Sequence, residues 1–459
     1  MAAVQAALDA AGVAVQLDRL TPLTGGASRA TTALSGVDGS GERVDLILQA
    51  EPGELRRPEG MVTEAAVIAA AGEAGAPVAP VVAVHPPIES GFDGPHWPGR
   101  SWFVSGAVAG ETIARRILRD DEFAAAREAL PAQLGRALAG IHATPLDEIG
   151  RHLERDDQLA RYREVADELG IASPAFELAF RWLEQHRPET TTEVLVHGDF
   201  RLGNLIIDGD GLAAVIDWEL AHLGDPLEDL GWLCCRAWRF GSPLPVAGVG
   251  EREALWAAYA EASGREVDPE AARWWEVLAT LKWGIMCATQ VERHRSGGVR
   301  SVELAAIGRR IPEQEYDLCR LLAPERLAPA EPDEGDLDPP VPAVFANREP
   351  SISELIEAVR EFIDGEIIGG ADPRVGFLGR VVRNVLSTVE RELAIGDAQE
   401  LRHRARLDDL EVADDSELAR RIRAGDFEAA VEGSDDTLRA ALESRAVDRL
   451  VLNNPRWLP

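Results

Sequence analysis

Lysine is almost missing from this chain. Of its 47 basic residues, Lys282 is the sole lysine and the others are arginine. Any site outside that one position that needs a side-chain cation must use arginine or do without. Cysteine is scarce as well. Cys234, Cys235, Cys287 and Cys319 lie in apolar, helix-like segments, and the adjacent pair does not have the C-x-x-C spacing of a metal or redox site, so buried free thiols are expected. No stretch approaches the roughly 20 uninterrupted apolar residues of a membrane-crossing helix. The opening MAAVQAALDAAG lacks the basic region of a signal peptide and carries Asp9, so a cytoplasmic protein is expected. Positive charge is in deficit overall: 79 acidic residues give a net charge of −32. Such a field repels nucleic acid and anionic lipid, and neither is expected as a partner.

What is present is a globular composition, 46% hydrophobic and 27% charged over 459 residues, enough for two or three domains. Residues 1–108 read as a small β-rich lobe. A helix over 2–12 precedes strand-like Val44–Gln49, Pro80–Val84 and Trp102–Val108, and a helix runs from Thr63 to Gly72 with Glu64 in its first turn. Residues 109–323 turn helical. A helix stops near Pro145, Tyr162–Leu169 and Pro174–His186 lead to a short β-containing segment, and helices follow over 227–236, 252–263, 270–295 and 302–322. Residues 324–348 form an acidic, proline-rich linker that builds no core. Residues 349–459 are helical again, with Ile352, Leu355, Ile356, Val359 and Ile363 at helical spacing and Val381, Val385, Leu386 and Val389 repeating it. They are read as a separate all-helical domain whose expected job is packing or homo-oligomerisation.

The densest chemistry lies in LVHGDFRLGNLIIDGDGLAAVIDWELAHLGDPLEDL, residues 195 to 230. His197, Asp199 and Asn204 have the spacing H-x-D-x-x-x-x-N. In a kinase catalytic loop that spacing sets the Asp to accept the proton of an attacking hydroxyl and the Asn to hold magnesium. Two apolar runs, Leu205–Ile207 and Leu212–Ile216, flank Asp208-Gly209-Asp210-Gly211 and predict a hairpin. Its second strand ends on Asp217, where a carboxylate would meet a hard cation. The structural alternative is a polar strand–turn–strand whose acids are only solvated.

This ordered set resembles the aminoglycoside phosphotransferase-like and choline kinase-like family of small-molecule phosphotransferases. The branch it resembles most is the kinase domains fused to some acyl-CoA dehydrogenases. The likeness covers roughly residues 15 to 322 and is strongest from 195 to 232. It implies an α+β, protein-kinase-like two-lobed fold, here with the additional C-terminal all-helical domain. It also implies a phosphotransferase dependent on ATP (or another nucleoside triphosphate) and Mg2+, acting on the hydroxyl of a small molecule, with hydroxyacyl-CoA as one acceptor class. Antibiotic phosphorylation and a degenerate, nucleotide-binding regulatory protein are the alternatives.

Under that resemblance Asp199 is the catalytic acid–base residue, assisted by His197 and Arg201, and Asn204 and Asp217 are the metal ligands. Thr24 to Ser28, with Gly25, Gly26 and Ser28, would cover the phosphates through backbone N–H groups. The family's phosphate-clamping cation is replaced here by Gln49, opposite Glu64; Arg29, Arg56 and Arg57 are the cations nearby in sequence. Glu64 has a second reading as a first-turn acid favoured by the helix dipole. His197 is expected to brace the loop, Arg201 to meet phosphate or an acid, Asp225 to cap a helix and Asp229 to brace the loop. The tryptophans at 218, 232, 238, 274, 275 and 283 are expected mainly in the core.

Overall fold

The computed structural model describes residues 1–23, 30–50, 60–85, 101–189, 192–297, 299–323, 352–370 and 372–459. The chain divides into two compact units, one of residues 1–156 and 189–275, the other of 157–188 and 276–459.

The first unit opens with α1 (Ala2–Ala10) and a sheet of β1 (Val15–Leu23), β2 (Ala30–Asp38), β3 (Arg43–Ala50), β4 (Val81–His85) and β5 (Trp102–Gly106), ordered β1-β2-β3-β5-β4. Every pairing is antiparallel. Alternation along β3 buries Leu46, Leu48 and Ala50 with Val4 and Leu8 of α1. Gln49 and Ile47 therefore point to the other face, as period-two geometry requires. Phe103 of β5 packs in a different cluster with Met61, Ala65 and Ile68 of α2 (Gly60–Glu73). That helix starts three residues earlier than the sequence predicts. Glu64 consequently sits in its second turn and is buried, so the helix-dipole reading of Glu64 falls.

The helical part of this unit follows: α3 (Ala114–Arg119), α4 (Ala124–His142), then after residue 189 the short strands β6 (Val194–Val196), β7 (Leu205–Ile207), β8 (Leu212–Val215) and β9 (His222–Gly224). The helices α7 (Leu227–Cys234), α8 (Arg252–Ser263) and the start of α9 (Pro269–Arg295) complete it. One apolar cluster joins Leu130, Leu134 and Leu138 of α4 to Leu195, Leu205, Ile207, Leu230, Leu255 and Tyr259. Burying some ten aliphatic and aromatic side chains at about 1.5–3 kcal/mol each is what holds the short β6–β9 segments in place. Strands of three or four residues cannot stand alone.

The second unit holds α5 (Gln158–Glu168), α6 (Pro174–Gln185), the rest of α9, α10 (Val302–Gly308), α11 (Ile311–Leu322), α12 (Ile352–Phe362), α13 (Pro373–Asp409), α14 (Asp415–Ala424), α15 (Glu428–Val431) and α16 (Asp436–Asn453). The expected single helix over 302–322 is two, broken where Pro312 enters the first turn of α11, a position at which the missing N–H is no loss. The expected boundary near residue 323 is not where the structure divides. Tyr316 of α11 packs with Ala446, Val447 and Leu450 of α16. Arg181 of α6 pairs with Glu428, and Trp457 Nε1 donates to Asp317 at 3.1 Å. The helices α14, α15 and α16 therefore share a core with α6 and α11, α13 packs on α10 and α16, and α12 packs on α13. Their predicted periodicity is helical as read, yet Leu355, Val359 and Val389 are exposed. The linker over 324–348 lies outside the described residues.

Candidate active site

Asp199 stands between β6 and β7, and three donors converge on its carboxylate. Arg201 Nε lies 2.9 Å from Oδ1, Trp232 Nε1 lies 2.8 Å from the same oxygen, and Asn204 Nδ2 lies 2.6 Å from Oδ2. Asn204 Nδ2 also reaches the Asp199 carbonyl at 3.0 Å. Its amide nitrogen is thus committed to Asp199, and Oδ1 is the atom left to face a cation. The Arg201 guanidinium lies 4.8 Å over the Trp238 ring, and Trp238 in turn meets Trp232 at 5.2 Å between ring centroids.

The loop that carries Asp199 is shaped by buried groups. Its Gly198 has φ +79°, and a Cβ there would lie 2.5 Å from the Leu220 carbonyl, so only glycine fits. The fully buried Asp229 accepts the backbone N–H of His197 at 2.8 Å and of Gly198 at 2.9 Å. His142 Nε2 approaches Asp229 at 3.2 Å, and its Nδ1 meets the Tyr259 hydroxyl at 3.0 Å. Burial pushes the Asp229 carboxyl upward, but the hydrogen bond with His142 and the backbone N–H of His197 hold it below its ordinary value. His197 is lowered by burial, against the opposing pull of Asp229 and Asp199. It is therefore neutral. Its Nδ1 accepts the Asp199 N–H at 3.2 Å and its Nε2 donates to the Ile216 carbonyl at 3.1 Å. The imidazole pins the Asp199 loop to the strand end that precedes Asp217.

The hairpin forms as predicted, with Leu205 opposite Val215. One step further the Ile216 N–H donates to the Asn204 carbonyl at 3.0 Å, so Asn204 and Asp217 flank the foot of the same ladder. Asp217 is left-handed at φ +68°, an uncommon backbone for a residue other than glycine. At the other end Asp208 closes the turn by accepting from Asp210 N and Gly211 N. Gln133 of α4 ties the turn down, donating to the Asp210 carbonyl at 3.0 Å and accepting the Leu212 N–H at 2.8 Å.

The structure thus brings together His197, Asp199, Arg201, Asn204 and Asp217. Gln49 and Glu64 occupy the sheet lobe, on β3 and α2. Gly25, Gly26, Ser28, Arg29, Arg56 and Arg57 lie outside the described residues. Asp225 accepts the Leu227 N–H at 2.8 Å at the start of α7, as expected of a cap. Trp232 is the residue that the sequence reading missed. The expectation of a core tryptophan holds in that it is buried, but its indole N–H is spent on Asp199. The signal was there: Trp232 follows the loop-bracing Asp229 by three residues, which puts both on one face of α7. Gln133 and His142 carried no such signal, being distant in sequence.

A mainly antiparallel sheet lobe, a helical lobe and an acid-bearing loop leading into a hairpin that ends on a second acid define a kinase-like phosphotransferase. Residues 19–275, more than half of the chain, match the model of the phosphotransferase enzyme family, and the chain belongs to that family. Residues 369–457 match a domain of unknown function, DUF6285. The chain is 37% identical over 130 residues to acyl-CoA dehydrogenase family member 10 of Mus musculus, covering 26% of this chain and 12% of that protein. It is 32% identical over 139 residues to acyl-CoA dehydrogenase family member 11 of Rattus norvegicus, covering 27% and 18%. The chain therefore spans under a fifth of either relative. A Ralstonia eutropha structure assigned to the aminoglycoside phosphotransferases shares the fold at 20% identity and a TM-score of 0.53, covering 68% of this chain and 95% of that one. Among the described residues no helix is long and apolar enough to cross a membrane.

Proposed function

We propose that the chain transfers the terminal phosphoryl group of ATP, with Mg2+, to the hydroxyl of a small molecule, and that the acceptor is a hydroxyacyl-CoA. The observation that carries this reading is the 2.6 Å contact of Asn204 Nδ2 with Asp199 at the foot of a hairpin that ends on Asp217. Asp199 orients the acceptor hydroxyl and takes its proton as the new P–O bond forms. Its three donors keep the carboxylate aimed while the substrate is absent, so little reorganisation is left for the reaction itself. Asn204 Oδ1 and the Asp217 carboxylate supply two hard oxygens. That suits magnesium, which takes one or two protein ligands and completes its shell with phosphate oxygens and water. When bound, the ion neutralises charge on the transferred phosphate. In this reading Gly25, Gly26 and Ser28 would cover the phosphates through their backbone N–H groups, and Gln49 would offer an amide in place of the usual ammonium. The acceptor class rests on the acyl-CoA dehydrogenase relatives.

The test is turnover of ATP with short-chain hydroxyacyl-CoA thioesters and with aminoglycosides, followed by ADP release and by mass spectrometry of the phosphate ester. Asp199→Asn is expected to slow transfer by about 10² to 10⁴ and to leave ATP affinity largely intact. Wild-type turnover in that variant overturns the assignment of Asp199. Transfer to aminoglycosides alone overturns the acceptor.

A further inference from the structure

The second unit contains a polar cleft of about 350 Å³, made by the α10–α11 corner, α13 and α16. The size lies in the range of small-molecule sites, but the walls are unusual, because charged side chains dominate them. Arg445 and Arg449 project from successive turns of α16, one helical turn apart, with Arg309 at the rim and Asp397 and Glu400 facing them from α13. Arg309 is engaged by Glu392 at 2.7 Å, and Arg449 by Glu315. Arg445 is not fully used. Its Nη2 reaches Glu400 only at 3.4 Å, and its Nε is buried with no hydrogen-bond partner among the described residues. The buried Nε is out of a ligand's reach, and the capacity left for one is at the partly exposed outer end of the guanidinium.

A second feature of the cleft points the same way. Gly396 lies inside the 37-residue helix α13, where glycine weakens the helix relative to alanine. Nothing in the packing asks for it. Its φ is not positive, and a Cβ there would touch only Glu392 Cγ, at an ordinary 3.6 Å. The missing side chain instead keeps the wall of the cleft open.

We propose that this cleft binds a small hydroxylated phosphate ester. The phosphate would sit on Arg445 and Arg449, whose planar forks suit an anion with several oxygens. The hydroxyls would donate to Asp397 and Glu400. The site is distinct from the one around Asp199 and does not depend on the function proposed for it.

The experiment is calorimetric titration of the full chain, at fixed ionic strength, with inorganic phosphate, glycerol 3-phosphate and citrate. Wild-type protein is expected to bind glycerol 3-phosphate saturably and more tightly than inorganic phosphate. Arg445→Gln, which removes the under-used fork, and Gly396→Leu, which fills the cleft, are each expected to weaken binding at least tenfold. Arg380→Gln, on the same helix as Gly396 but exposed and outside the cleft, is expected to leave it unchanged. If Arg445→Gln fails to fold by circular dichroism, Gly396→Leu decides the matter. Absence of saturable binding, equal affinity in wild type and Gly396→Leu, or tighter binding of citrate than of either phosphate would overturn the proposal.

Discussion

Replacing Trp232 by phenylalanine separates two roles that one side chain combines. The indole is buried in α7 and packs against Trp238, and its N–H lies 2.8 Å from Asp199 Oδ1. Phenylalanine keeps most of the apolar volume and removes the donor. A hydrogen bond to a charged group contributes about 1.5–3 kcal/mol. Arg201 and Asn204 remain on the carboxylate, so the lower part of that range applies, about 1.5–2 kcal/mol. If the bond serves to aim Asp199 in the transition state, the loss appears in kcat as a factor of roughly 10 to 30, with KM for ATP little changed. The residual space left by the smaller ring costs roughly 1–2 kcal/mol of stability. Steady-state kinetics at saturating acceptor and urea denaturation of the same preparation measure the two effects. A variant that loses stability but keeps kcat within twofold of wild type would show that Trp232 only fills the core, and the positioning argument would fail.

Asp229→Asn should cost about 3 kcal/mol or more, because one carbonyl oxygen cannot accept the N–H groups of His197 and Gly198 while facing His142, and a buried pair loses a partner; a denaturation midpoint close to wild type would refute this. Stability should also depend on pH in a defined way. The folded His197 is held below its ordinary value, so the unfolded chain takes up a proton first and stability falls as the pH drops below about 6.5. Asp229 is also depressed, and its contribution is present above about 3.9 and is lost as the pH falls further, through its folded value. A flat stability profile from pH 7.5 to 5 would contradict the His197 assignment. A chain ending at Leu322 should be insoluble or partly unfolded, since Tyr316 loses Ala446, Val447 and Leu450; a soluble, protease-resistant fragment of that length would count against the shared core.

The fold of the first unit was legible because its signals are local. The hairpin of β7 and β8 announces itself by two apolar runs around an Asp-Gly turn, and the spacing from His197 to Asn204 is written along one loop. Where the reading went wrong, the deciding contacts are distant in sequence. The partners that place α14 to α16 in a common core are on α6 and α11, in one case 247 residues away, and an acidic, proline-rich stretch between them reads as a boundary. The helix is already formed at Gly60, three residues before the predicted start, so Glu64 lies beyond the first turn. Trp232 escaped notice because a large aromatic on an apolar helix face satisfies the packing explanation before its N–H is considered.

The interleaving of the two units bears on how the chain is made. The helices α5 and α6 emerge from the ribosome long before their cover. About 230 residues separate Gln185 from the start of α14 at Asp415, and at roughly 5–20 residues per second that is a wait of about 12 to 46 s. During that interval Phe176, Leu178, Phe180 and Leu183, all buried in the finished protein, have no helix from the C-terminal third to lie against. A nascent chain in that state is a natural client for a chaperone that holds apolar helices. Refolding from denaturant should show the same order, with the first unit recovering before the second and aggregation competing with the slower step.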